Sequence, residues 1–94
     1  MSPLSQARLL MPLLDAIRGR LAPGEYAPFR RTIYGSPCIE VHTEHGGMIA
    51  TIDKAGLYAL DTAGSRYVCD PNAPEDAIYD VICRALNDAR KEWA

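Results

Sequence analysis

Hydrophobic residues recur at helical spacing near both ends of the chain and alternate with polar residues in the middle. Near the N-terminus, Ser2 and Pro3 are a typical helix cap and first helical residue, and Ala22-Pro23-Gly24 is a stop signal. Between them runs an apolar stripe at helical spacing: Leu10, Leu13, Leu14, Ile17 and Leu21. Pro12 lies within this stripe, so we expect the helix to kink or restart there. The pattern predicts an N-terminal helix.

A second helical pattern follows the segment from Asp70 to Glu75. Asn72 can cap this helix, Pro74 is tolerated in its first turn, and Glu75 stands three residues after Asn72, as in a capping box. We expect the helix to run to about Glu92. Its apolar stripe is Ile78, Val81, Ile82, Ala85, Leu86, Ala89 and Trp93.

Between Cys38 and Asp70 the chain alternates between apolar and polar residues and contains three turn signals. The first is Gly46-Gly47. The other two open the halves of an eight-residue echo, 53–60 and 61–68, each of which begins Asp-x-Ala-Gly. Because Asp can accept hydrogen bonds from its own downstream backbone and Gly tolerates positive φ, each signal predicts a tight reversal. The pattern indicates an antiparallel meander.

The turn lengths then predict the two faces of the sheet. A two-residue turn at Gly46-Gly47 pairs Val41 with Ile52. With three-residue loops in both halves of the echo, the core face comprises Ile39, Val41, Met48, Ala50, Ile52, Tyr58, Leu60 and Val68. The opposite face then comprises Cys38, Glu40, His42, Ile49, Thr51, Asp53, Leu57, Ala59, Tyr67 and Cys69. A one-residue error in a later turn would exchange these faces.

The segment from Glu25 to Tyr34 is harder to assign. Pro28 excludes a central strand, but Phe29 to Tyr34 fits an edge strand that ends at the turn Gly35-Ser36-Pro37. The sequence as a whole predicts a single α+β domain over residues 1–94. We expect a two-layer fold with an N-terminal helix, an antiparallel meander of four to five short strands and a C-terminal helix, both helices lying on one sheet face.

The composition excludes several classes of protein. Of the 94 residues, 48% are hydrophobic and 23% are charged, values typical of a folded domain rather than a disordered chain. The formal net charge of −2 argues against a general binder of phosphate backbones. Three cysteines, an odd number, argue against a disulfide framework. No apolar stretch is long enough to span a membrane or serves as a leader, so we expect a cytoplasmic protein without membrane contact.

Candidate chemical groups are sparse. A metal site could use residues of one strand face, the following turn and a nearby strand: Cys38, Glu40, His42, His45 and Cys69. Their spacing lacks the paired ligands of structural zinc sites. Cys83 is expected to pack within the last helix, and no nucleophile elbow, phosphate-binding loop or His-Glu-x-x-His motif is present. We therefore expect no catalytic residue, no metal, no cofactor and no enzymatic activity.

A nucleic-acid-binding regulator is the alternative hypothesis, based on aromatic and basic residues that interleave between Phe29 and Tyr34. The entrance of the second helix argues against it, since Glu75, Asp76 and Asp80 make this region acidic. Arginines on an edge strand also protect it from aggregation.

Protein binding is the leading hypothesis, because helices on one face leave the other face of the sheet bare. The expected partner-binding residues are aromatic, basic or apolar, as is typical of interfaces: Tyr26, Phe29, Arg30, Arg31, Tyr34, Ile49, Leu57 and Tyr67. The partner would be another protein or a second copy of the chain. One concrete form of this hypothesis is a phage or mobile-element inhibitor of a host or defence protein, acting as anti-CRISPR proteins do.

Overall fold

The computed structural model of the chain describes residues 2–91. In chain order its elements are α1 (Pro3–Arg18), β1 (Phe29–Arg31), β2 (Pro37–His42), β3 (Gly47–Ile52), β4 (Tyr58–Asp61), β5 (Arg66–Cys69) and α2 (Glu75–Ala89). The strands form one sheet in the order β1-β2-β3-β4-β5, and every neighbouring pair is antiparallel. The α+β order of helix, meander and helix is therefore confirmed.

Helix α1 begins as predicted. Ser2 caps it by accepting a hydrogen bond from the Ser5 amide at 3.2 Å, and Pro3 is the first helical residue. The helix continues through Pro12 instead of restarting. Because Pro12 has no amide hydrogen, the backbone carbonyl four residues earlier, at Arg8, lacks its helical hydrogen bond. Both residues are exposed, so water can solvate this carbonyl. The helix ends at Arg18, with Gly19 as its C-cap, several residues before the predicted stop.

Helix α2 starts differently from the prediction. Pro74 occupies the N-cap position and makes no side-chain cap. Asn72 lies two residues before the N-cap, too early to cap the helix, and its backbone amide donates to the Asp70 carboxylate at 2.8 Å in a turn that precedes the helix. The helix ends at Ala89. The predicted extension to Glu92 and the contribution of Trp93 lie outside the described residues.

Both helices pack on the same face of the sheet, as predicted. One row of paired residues crosses the centre of this covered face from β1 to β5: Phe29, Ile39, Ala50, Leu60 and Tyr67. Buried side chains of the helices close the core above the sheet: Leu10, Leu13, Leu14, Ile17, Ile82, Ala85, Leu86 and Ala89. Burial of this apolar surface is the main stabilising contribution that the fold offers.

The first hairpin has a different register from the predicted one. Val41 pairs with Met48, not with Ile52, a displacement of four residues along β3. The turn forms because the Thr43 hydroxyl accepts a hydrogen bond from the Gly46 amide at 3.0 Å. The displacement is an even number of residues, so the prediction of which side chains face the core on β2 and β3 is nevertheless confirmed.

The two halves of the sequence echo do not form equivalent turns. The first makes a three-residue loop in which the Asp53 carboxylate accepts from two amides, at 2.9 Å each, and Gly56 adopts φ 80°. In the second half, Asp61 stays in β4 and pairs with Arg66. The second turn is closed by the Thr62 amide, which donates to the Ser65 carbonyl at 2.9 Å, so its loop contains two residues, Ala63 and Gly64. The second loop is therefore one residue shorter than the first.

This difference of one residue exchanges the faces of β5. Tyr67 and Cys69 lie on the covered face, paired with Leu60 and Tyr58, and Val68 lies on the open face and is 45% exposed. The predicted placement of Tyr67, Val68 and Cys69 is therefore wrong. The side-chain period of two means that any odd change in turn length reverses every later residue of the strand.

Polar contacts hold the C-terminal end of α2 against two hairpin turns. Thr62 donates to the Asp88 carboxylate at 2.7 Å, and the Tyr67 hydroxyl donates to the same oxygen at 3.2 Å. Thr43, in the other turn, donates to the Ala89 carbonyl at 2.9 Å. The Thr62 and Tyr67 hydrogen bonds lower the pKa of Asp88, whose side chain is buried among its partners.

A second contact ties α2 to the segment between α1 and β1. Arg90 forms a bidentate pair with Glu25, with nitrogen–oxygen distances of 2.9 and 2.8 Å, and also donates to the Arg20 carbonyl at 3.0 Å. The bond from Arg90 lowers the pKa of Glu25. The two contacts together fix α2 at its C-terminal end.

The open-face position of Val68 on β5 predicts a smaller effect of truncation than at Leu60, a core residue of the neighbouring strand β4. Leu60→Ala removes a side chain that is 1% exposed, so we expect a loss of about 2–5 kcal/mol in the free energy of unfolding. Val68→Ala on the open face should lose less than about 1 kcal/mol. Urea denaturation of both variants measures this difference, and equal losses would contradict the observed pairing.

The Asp88 contacts predict a dependence of stability on pH. Folding lowers the pKa of Asp88, so its carboxylate stabilises the folded state above the unfolded pKa, and this contribution is lost as the pH falls through the folded pKa. Between about pH 7 and about pH 3, Asp88→Asn should therefore lose less stability than the wild type. Asp15→Asn, at an exposed position of α1, is the matched control. Identical pH profiles for wild type and Asp88→Asn would refute the assignment.

Candidate functional site

The open face of the sheet lies opposite both helices. One row of paired residues crosses four of its strands: Glu40, Ile49, Asp61 and Arg66. Beside it lie the pair Arg30 and Cys38 on β1 and β2 and the paired residues Thr51, Ala59 and Val68 on β3 to β5. Cys38 and Ala59 are buried by their neighbours, whereas Ile49 is 47% exposed. The predicted bare face is therefore present, but its apolar residues are separated by polar ones.

Charged residues on the open face neutralise one another. Glu40 lies 3.4 Å from Arg30 and 3.1 Å from His42, and the Arg66 side chain makes two bonds to Asp61, at 2.7 and 3.0 Å. The Tyr26 ring stacks on His42 with a centroid distance of 4.6 Å and an interplanar angle of 13°. Glu40 and Asp61, the two carboxylates in the strands of the open face, are thus each paired with an arginine.

The thiols and histidines do not form a reactive cluster. Burial raises the pKa of both Cys38 and Cys69, which favours the protonated thiol. Cys83 is exposed, so the expectation that it packs within α2 is wrong. Within residues 2–91 no group of three or more His, Cys, Asp or Glu side chains is placed to hold a metal ion.

A groove of about 310 Å³ lies between α1 and the start of α2. Both tyrosine hydroxyls that line it are hydrogen-bonded: the Tyr58 hydroxyl donates to the Leu9 carbonyl at 2.6 Å, and Tyr79 bonds Glu75. The Arg20 guanidinium lies over the Tyr79 ring at 3.8 Å. In the described part of the chain, every buried side-chain nitrogen and oxygen has a hydrogen-bond partner.

The turn of the β1–β2 hairpin carries the two most exposed large apolar side chains of residues 2–91. Ile33 is 92% exposed and Tyr34 is 88% exposed. The turn is well ordered by hydrogen bonds: Thr32 donates its amide to the Ser36 carbonyl at 2.7 Å and accepts on its hydroxyl from the amides of Tyr34 and Ser36. Gly35 adopts φ 81°, which a side chain would strain. The two exposed side chains therefore project from a structured loop.

An apolar groove of about 300 Å³ adjoins this hairpin on the helix side. The N-terminal turns of α1 form one wall, and the edge strand with the start of β2 forms the other. Its lining residues are Pro3, Leu4, Ala7, Phe29, Arg31 and Pro37. We use the term hairpin surface for this groove together with Ile33 and Tyr34.

The predicted partner-binding residues fall into separate places. Five lie on or beside the β1–β2 hairpin, with Tyr26 and Arg30 towards the open face, Phe29 and Arg31 towards the groove, and Tyr34 at the turn. Ile49 lies at the centre of the open face.

The other two predicted residues do not join them. Leu57 is half-buried beside the Asp53 turn, and Tyr67 lies on the covered face in contact with Asp88. Sequence reasoning omitted Ile33 and Leu4 from the site. The signal for Ile33 was its position beside Tyr34, immediately before a glycine turn.

Comparison of the chain with models of known protein families, with curated proteins and with solved structures finds no match. Over residues 2–91, neither helix is long and apolar enough to cross a lipid bilayer.

The exposure of the turn predicts that its side chains contribute little to folding. The double variant Ile33→Ser/Tyr34→Ser should change the free energy of unfolding by no more than about 1 kcal/mol. Gly35→Ala should lose about 1–2 kcal/mol, because alanine is strained at positive φ. Thermal and urea denaturation provide the comparison. A loss in the double variant as large as that of a core truncation would show that the turn is buried.

Proposed function

We propose that this protein is a non-enzymatic protein-binding module, and that the hairpin surface contacts its partner. The observation that carries the proposal is the pair Ile33 and Tyr34, two large apolar side chains almost fully exposed on a structured turn. Folding gains almost nothing from either side chain. Contiguous exposed apolar groups of this kind are typical of interaction sites.

The geometry of the turn favours tight binding. A side chain held on an ordered loop loses less conformational entropy on association than one on a mobile loop. Tyrosine is also among the residues most enriched at interface hot spots. The adjoining groove adds apolar walls from Leu4 and Phe29, so the hairpin surface combines projecting side chains with a concave region.

The charge distribution favours a protein over a nucleic acid. Residues 26–37 contain two arginines and no carboxylate, in a chain of formal net charge −2. Binding to a nucleic acid generally requires neutralisation of several phosphates, and two arginines are few for that purpose. Arg30 is moreover paired with Glu40 at 3.4 Å.

The proposal predicts that one partner binds through the turn. Immobilised protein should retain one stoichiometric partner from cells that contain it, and Ile33→Ser/Tyr34→Ser should lose that partner. With the partner purified, calorimetry should show binding weakened by at least about tenfold in the double variant, since one hot-spot residue contributes about 2 kcal/mol or more. Val68→Ser, which alters an exposed apolar residue on the opposite edge strand, is the matched control and should bind normally.

Two outcomes would overturn the proposal. One is a purified partner that binds the wild type and the double variant equally. The other is salt-sensitive binding of a single-stranded oligonucleotide through the turn with no protein partner, which would favour the nucleic-acid alternative.

A further inference from the structure

The outer edge of β1 exposes backbone hydrogen-bonding groups. Tyr26 exchanges both backbone bonds with His42, and the Glu40 amide donates to the Pro28 carbonyl. The backbone N–H and C=O groups of the even-numbered residues in this segment are therefore directed towards β2. In an antiparallel ladder the backbone groups of alternate residues are directed away from the partner strand, which places the N–H and C=O groups of Phe29 and Arg31 on the outer edge. Within residues 2–91 no side chain and no backbone group outside the sheet bonds them.

This free edge has a defined start. The Ala27 carbonyl, which also points outwards, accepts two bonds from the Arg18 guanidinium at 3.2 and 3.0 Å. Pairing by another strand is therefore confined to the segment from Phe29 to the turn, beside the apolar groove.

The side chains on one face of an added strand would meet the groove on the helix side of the sheet. On the helix side they would lie beside the groove walls formed by Leu4 and Phe29, which suit apolar residues. Arg31 lines the same groove and makes no ion pair within the described residues. An uncompensated arginine beside an open edge favours an incoming carboxylate.

The same charge disfavours a second copy of the chain. Pairing β1 with its own copy about a two-fold axis through Arg31 sets Arg31 opposite Arg31, and like charges directly opposite are destabilising. The other edge strand, β5, differs because its Arg66 is already bound by two hydrogen bonds to Asp61. Only the β1 edge combines open backbone groups, an apolar groove and an unpaired cation.

We propose that the partner adds an extended, acidic segment to the outer edge of β1, extending the sheet by one strand. The added strand bonds the backbone of Phe29 and Arg31, places an apolar side chain in the groove and sets a carboxylate against Arg31. This mode of binding is β-strand addition, in which backbone bonds supply affinity and alternate side chains supply specificity. The inference rests on the proposed function, since it assigns the partner chemistry of the same hairpin surface.

A peptide titration followed by ¹⁵N NMR tests the inference. The probe is a synthetic octapeptide that repeats Thr-Val-Thr-Glu twice, so that its valines and glutamates share one strand face, as the groove and Arg31 do. This is the glutamate–valine peptide. The controls are the lysine–valine analogue, with lysine in place of glutamate, and the glutamate–valine peptide with alternate amides N-methylated. Shift changes should concentrate on residues 29–33, and the amides of Phe29 and Arg31 should gain protection from hydrogen exchange. The lysine–valine analogue should bind at least about tenfold more weakly, and the N-methylated peptide should lose binding.

Charge reversal provides the decisive comparison. Arg31→Glu should weaken the glutamate–valine peptide and strengthen the lysine–valine peptide, whereas Val68→Glu on the other edge strand should change neither preference. Absence of shifts on β1, equal binding of both peptides or full binding of the N-methylated peptide would each overturn strand addition. If a purified partner still depends on Ile33 and Tyr34 after such a result, the proposed protein-binding function stands and only the strand-addition inference fails.

Discussion

The structure depends on the burial of two helical stripes against a single face of one antiparallel sheet. Leu13 and Ile17 of α1 and Ile82 and Leu86 of α2 are buried above a row of strand residues centred on Ala50. Because strand side chains alternate with a period of two, this packing determines which half of every strand is apolar. The other face is then left to pairs of opposite charge such as Asp61 and Arg66.

Polar contacts position the helix layer on that sheet. Asp88, in the last turn of α2, bonds Thr62 in a hairpin turn. Arg90, the C-cap of the same helix, bonds Glu25 in the α1–β1 segment. Their partners are hydroxyls and a carboxylate that the fold brings from distant parts of the chain, so the contacts specify where α2 lies rather than whether it forms. The β1–β2 turn lies outside these contacts. Ile33 and Tyr34 are thus exposed on a loop that is closed by its own hydrogen bonds and makes none to the helices.

Residues whose type implies one local geometry adopt the predicted structure. Ser2 caps α1, Pro28 precedes an edge strand, and Asp53 with Gly56 forms a three-residue loop. The wrong predictions concern two similar segments that use their residues differently. The second Asp-x-Ala-Gly repeats the letters of the first, but its aspartate bonds Arg66 across the strands and leaves the turn to Thr62. The candidate residues divided in the same way: Phe29 and Arg31 lie on an edge strand, as predicted, whereas Tyr67 lies on the covered face and not on the predicted open face.

The amino-acid sequence by itself determined the order of the elements, the buried stripes of both helices and the position of the edge strand, because these follow from local periodicity and from proline. Only the tertiary structure decided the register of the first hairpin, the face of β5 and the burial of Asp88. Those features depend on contacts between distant residues, such as Thr62 with Asp88 and Thr43 with Ala89, that no local pattern encodes. A turn one residue shorter is a small local change, but the pleat of the sheet converts it into a complete exchange of faces.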